Sequence, residues 1–207
     1  MLELTDEEIK ALLARETVGR FAPLCAEDAA LEERYRGLIE DICKATGASE
    51  RGEWESWGQG HASFFEAWLY FDEDRAADKP AMAEPWWRAW LPARRRAASS
   101  EREYEGVAVL LSRQTCFYAI AQSRKFWDTA RGCSGGGMSE VEGIDDVTDP
   151  RLQALVREVD ANLQRAGLRR LHHEELARPI GPAHHIETNL QSPGGFHQFD
   201  VLFNWMD

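Results

Sequence analysis

Hydrophobic and polar positions along the chain fall into two kinds of pattern, one helical and one extended. Ile9, Leu12, Leu13 and Val18 share one helical face, after Thr5-Asp6-Glu7-Glu8, an S/T-x-x-E capping box, with Leu4 and Ile9 placed as a hydrophobic staple. This predicts an amphipathic helix over 5–19. Leu31, Tyr35, Leu38, Ile39, Ile42 and Cys43 recur at i, i+4, i+7, i+8, i+11 and i+12 and predict a second over 28–46, with Gly47 as its left-handed cap. Asp149 followed by Pro150 opens a third over 150–166, where Leu152, Leu155, Val156, Val159 and Leu163 align before Gly167.

The extended pattern is strongest over 106–123. Val107, Val109, Leu110 and Leu111 and then Cys116, Phe117, Tyr118, Ala119 and Ile120 flank the polar break Ser112-Arg113-Gln114, which predicts a buried hairpin at the centre of the fold. The aromatic run 62–71 reads as a second strand region. In the terminal 196–206, Phe199, Val201, Phe203 and Trp205 alternate with other residues as in a third. Leu168 to His172 adds a short strand, and Glu84-Pro85 opens a short helix bearing Trp86, Trp87 and Trp90. Loops are expected near 72–83, 93–104 and 131–148. The sum is one α+β domain over 1–207, a central, mainly antiparallel sheet packed by amphipathic helices.

Composition alters this picture little: 43% of residues are hydrophobic and 29% charged, as in ordinary globular chains. The start, MLELTDEEIK, has neither a basic segment nor an apolar one, and no apolar run approaches the length of a membrane span, so a cytoplasmic protein is expected. Cys25, Cys43, Cys116 and Cys133 lack CxxC spacing and read as reduced thiols, Cys43 and Cys116 as core. Charge is more informative. The net charge is −12, distributed as −10, +4, −5 and −1 over residues 1–80, 81–133, 134–150 and 151–207. That argues against nucleic-acid or anionic-membrane binding and leaves a solvated acidic surface or an electrostatic dock for a cationic protein.

Candidate chemistry is thin. Gly132-Cys133-Ser134-Gly135-Gly136 matches G-x-S-x-G, but KFWDTAR does not read as a core strand before it, nor GMSEVEGIDD as a helix after it. The same loop lacks the Gly-Lys-Ser/Thr of a phosphate cradle, and its acids miss EF-hand spacing. The pairs His172-His173 and His184-His185 invite a metal, with Cys133 or His197 as a third ligand, yet HExxH is absent and solvated histidines suffice. Glu174 and Glu175 mark a surface. No catalytic residue, metal site or cofactor is assigned. Of the eight tryptophans, Trp68 and Trp205 suit a core, whereas Trp54, Trp57, Trp86, Trp87 and Trp90 sit beside charge, where an aromatic interface anchor belongs.

GLRRLHHEEL after a long helix and the terminal FDVLFNWMD, in an acidic α+β chain of this size, resemble bacterial immunity proteins of polymorphic, contact-delivered toxin systems. The resemblance covers Asp149 to Asp207 and carries over no site residue. It implies binding, with a cognate and often cationic toxin domain as partner. On composition, the contact candidates are Asp72, Glu73, Asp74, Trp86, Trp87, Asp145 and Asp146. Two rival readings are a small hydrolase or metal-dependent enzyme using the 132–137 loop with the histidines, and a structural component of a bacterial or phage assembly. Self-association is left open.

Overall fold

The computed structural model describes residues 2–54, 61–75, 101–128, 133–136, 141–184, 186 and 195–206. Strands β1 (Ser49–Glu50), β3 (Phe64–Arg75), β4 (Glu101–Ser112), β5 (Phe117–Asp128), β6 (Cys133–Gly136) and β7 (Arg169–Arg170) form a six-stranded sheet in the order β1-β3-β4-β5-β6, with β7 beside β5. All pairings are antiparallel except β5 with β7. A separate small pairing joins β2 (His61–Ala62) to β8 (Trp205–Met206). The helices are α1 (Asp6–Leu13), α2 (Asp28–Thr46), α3 (Pro150–Arg165), α4 (His173–Leu176) and α5 (Gln198–Leu202). The α+β architecture is as the sequence predicts. Among the described residues no helix is long and apolar enough to cross a membrane.

The period-2 pattern of the strands sends side chains to two faces. Phe65, Ala67, Leu69, Val107, Val109, Leu111, Tyr118 and Ile120 form one face, which packs with the apolar stripes of α2 and α3. On the other face Phe64, Leu110, Phe117, Ala119 and Ala121 pack with Leu2, Leu4, α1, α4 and α5, while Trp68, Tyr70, Tyr104 and Ala108 form an aromatic cluster beside them. A Cβ on Gly106 would lie 2.7 Å from Trp68 Cε2, so the bare glycine lets the indole rest on the sheet.

This second face is concave. Glu66 stands opposite Leu110 of β4 and Lys125 opposite Tyr104, six residues away along the same strand, about 20 Å at strand rise. Their side chains nevertheless form a buried ion pair, 3% and 7% exposed, which only a strongly coiled sheet permits.

Several predicted boundaries are corrected. The central hairpin extends beyond 106–123 at both ends. Residues 72–75, 101–104 and 133–136, expected in loops, are strand, and KFWD belongs to β5. The helix expected over 5–19 stops at Leu13, because Arg15 takes a left-handed φ of 62° and Glu16 N–H closes back on the Ala11 carbonyl; a 3-10 turn follows over Gly19–Phe21. The strand expected over 196–206 is broken by a helix: Gln198, Phe199, Val201 and Leu202 are buried at i, i+1, i+3 and i+4 in α5, and strand remains at Trp205–Met206, with an isolated bridge at His197. The helix expected near 84–91 lies outside the described residues, as do Trp57, Trp86, Trp87, Trp90 and His185.

Candidate functional site

The outer edge of β5 is filled by three segments in turn. β7 pairs with Phe117–Tyr118, Ile144 bridges Ala121, and β6 pairs with Lys125–Asp128. Between the first two, residues 142–146 on one side and 169–175 on the other enclose an open cleft of about 970 Å³. Its lining holds Glu142, Asp145, Asp146, Glu174 and Glu175 together with Arg169, Arg170, His172 and His173.

Asp145 is the organising residue. Its N–H bonds the Ile120 carbonyl at 3.0 Å, tying it to β5, and its φ of 67° turns the chain sharply there. Its carboxylate accepts from Arg170 Nη2 at 2.6 Å and from the His173 N–H at 2.9 Å, and lies 3.1 Å from His172 Nδ1. Arg170, 11% exposed in its side chain, also pairs through Nη1 with Asp160 of α3. Asp160 in turn accepts from the Tyr118 hydroxyl at 2.8 Å. Burial, aided by that carboxylate, holds the Tyr118 phenol above its ordinary value, so it stays a neutral donor. A hydrogen-bonded chain therefore runs from the cleft into the helix-covered core.

Glu175 anchors the opposite wall. It is buried, a correction to its expected place on the surface, and accepts from the Leu2 N–H at 2.5 Å and Arg169 Nη2 at 2.6 Å. Gln198 Nε2 donates to its main-chain carbonyl at 2.8 Å. Both arginines of the cleft are thus engaged by carboxylates, and Glu142, Asp146 and Glu174 remain exposed at its rim.

Of the residues singled out from the sequence, Asp145, Asp146, His172 and His173 come together here. Asp72 is exposed on β3 and accepts from Ser49 Oγ at 3.0 Å, away from the cleft. Glu73 and Asp74 lie within β3, their side chains outside the described part, and Trp86 and Trp87 lie wholly outside it. Trp54 is buried against Phe65 rather than set beside solvent. His184 and His197 are elsewhere: His184 pairs through Nε2 with Asp6 of α1 at 3.0 Å, and His197 Nδ1 lies 3.6 Å from Asp200. Cys133 and Ser134 belong to β6, at the end of β5 remote from β7; the seven residue steps from Tyr118 to Lys125 span about 23 Å. The structure thus does not bring the G-x-S-x-G segment to His172. Among the described residues no group of three or more His, Cys, Asp or Glu side chains is arranged to hold a metal ion.

Sequence reasoning missed Arg170, Asp160 and Tyr118. A signal existed: Arg170 follows Asp160 by ten residues across the end of α3, and Gly167 returns the chain there. The cysteines read as core are half-buried, and burial pushes the Cys43 thiol up to about 11. The chain matches no protein-family model, no curated protein and no solved structure.

Proposed function

We propose that this chain is a non-catalytic, immunity-type protein that binds and neutralises a cognate toxin domain of cationic character. The observation that carries the reading is the cleft between 142–146 and 169–175. Its arginines are already paired internally, so an incoming cation meets the exposed carboxylates of Glu142, Asp146 and Glu174. The net charge of −12 adds a long-range field that would speed encounter with a basic surface. The bonds that fix Asp145 hold its carboxylate in place before a partner arrives, which lowers the ordering cost of binding.

Co-expression with the product of the adjacent open reading frame is the direct test. The wild-type chain is expected to co-purify with that product and to restore growth. The variant Glu142→Lys/Asp146→Lys/Glu174→Lys should lose both while keeping its circular dichroism spectrum. Failure of the wild type to rescue or co-purify would reject the reading.

A further inference from the structure

A second cluster of titratable groups lies on the concave face, away from the cleft. Residues 49–54 form a strap along the outer edge of β3, and Glu53 bridges Glu66: the Glu53 N–H donates to the Glu66 carbonyl at 2.7 Å and the Glu66 N–H to the Glu53 carbonyl at 3.3 Å. Directly opposed residues of an antiparallel pair place their side chains on one face. Two carboxylates therefore lie on the face that holds the buried ammonium of Lys125, which is paired with Glu66.

The strap is anchored by buried side chains at its ends and paired through its main chain along β3 between them, with Ser49 opposite Tyr70 and Glu50 opposite Leu69. Ala48 and Trp54 are buried, Trp54 stacking under the Arg36 guanidinium at 4.6 Å. In the middle, the Arg51 N–H donates to the Trp68 carbonyl at 2.9 Å. At Gly52 a Cβ would stand 2.7 Å from the Glu66 carbonyl oxygen, so the strap's main chain lies directly against β3. An ionised Glu53 sets a second carboxylate directly opposite that of Glu66, and like charges opposed across a strand pair weaken the pairing.

We propose that the strap 49–54 is a proton-operated latch on the outer edge of β3, seated while Glu53 is neutral and lifting when Glu53 ionises. The charged groups facing Glu53 are Lys125 from β5, Glu66 from β3 and Arg51 from the strap itself. Burial raises the Glu53 carboxyl above its ordinary 4.5, with Lys125 and Arg51 opposing and Glu66 adding to the rise. A carboxyl raised in the seated state favours seating at low pH, and that contribution is lost as pH rises through its folded value. Lifting frees the Glu66 amide and the Glu66 and Trp68 carbonyls, groups to which another extended strand can pair.

Amide hydrogen exchange on the full chain, corrected for intrinsic rates, tests the latch between about pH 4.5 and about pH 7. Protection at Arg51, Glu53 and Glu66 is expected to fall several-fold across that range while the β4–β5 ladder around Val109 and Ile120 holds constant. Glu53→Gln should flatten the dependence. A flat wild-type profile, an unchanged dependence in Glu53→Gln, or core amides that move in step would each overturn the proposal.

Discussion

The Glu66–Lys125 pair on the concave face and the Asp145–Arg170–Asp160 chain at the cleft are both charge networks joining distant parts of the chain, but they differ in their access to water. Glu66 and Lys125 are 3% and 7% exposed, beside the Trp68–Tyr70–Tyr104 cluster. At the cleft, Asp145 and Asp160 keep 28% and 23% of their side chains exposed around a more buried Arg170. The first network must balance itself internally, whereas the second can lean on solvent. A broken pair therefore costs most where water cannot replace the lost partner.

The largest effect is expected at Lys125. Lys125→Met leaves the Glu66 carboxylate buried without its cation, and urea denaturation should show a loss of about 3–5 kcal/mol. Glu66→Leu/Lys125→Met removes both charges and should recover that loss or exceed wild-type stability by about 1–4 kcal/mol. If the double variant is as unstable as the single one, the pair contributes through packing and the contrast with the cleft collapses.

Arg170→Met probes the solvent-supported network. Asp145 and Asp160 lose their shared guanidinium but keep water, and the Asp145 carboxylate retains the His173 N–H, so a smaller loss of about 1–3 kcal/mol is expected by the same measurement. A loss equal to that of Lys125→Met would mean that the cleft is effectively dry.

These contrasts also mark what the sequence could and could not reveal. The helices over 28–46 and 150–166 were legible because apolar period and end signals agreed: Asp149 accepts from the Arg151 N–H at 2.8 Å, and the Gly47 N–H bonds the Cys43 carbonyl. The hairpin's centre was legible from its apolar runs, but its ends were not. Glu101–Glu105 and Arg124–Asp128 carry charged residues among their aromatics and lack a continuous apolar run, yet they pair residue for residue. The terminal segment misled because Phe199, Val201, Phe203 and Trp205 satisfy a two-residue period, whereas Gln198, Phe199, Val201 and Leu202 are buried together on a helix. In the sequence, charge alone points to Asp145 and Asp146. What fixes Asp145 is a left-handed backbone and an arginine 25 positions away, neither of which is written in local pattern.

The smallest effect extends the comparison to an exposed pair. Glu8 of α1 accepts from Arg20, whose side chain is 52% exposed, and also from the Thr5 N–H at 2.9 Å in the capping box. The Arg20 hydrogen bond holds the Glu8 carboxyl below its ordinary 4.5, against a partial desolvation that acts the other way. A depressed carboxyl stabilises the fold above its unfolded value, and the contribution disappears as pH falls through its folded value. Arg20→Ala should therefore be slightly less stable than wild type near neutral pH, by far less than Lys125→Met, because solvent screens the pair. The two denaturation midpoints should converge as the pH is lowered below 4.5. A difference that persists unchanged in acid would assign the Arg20 contribution to its stacking over Phe21, at 4.2 Å, instead of to charge.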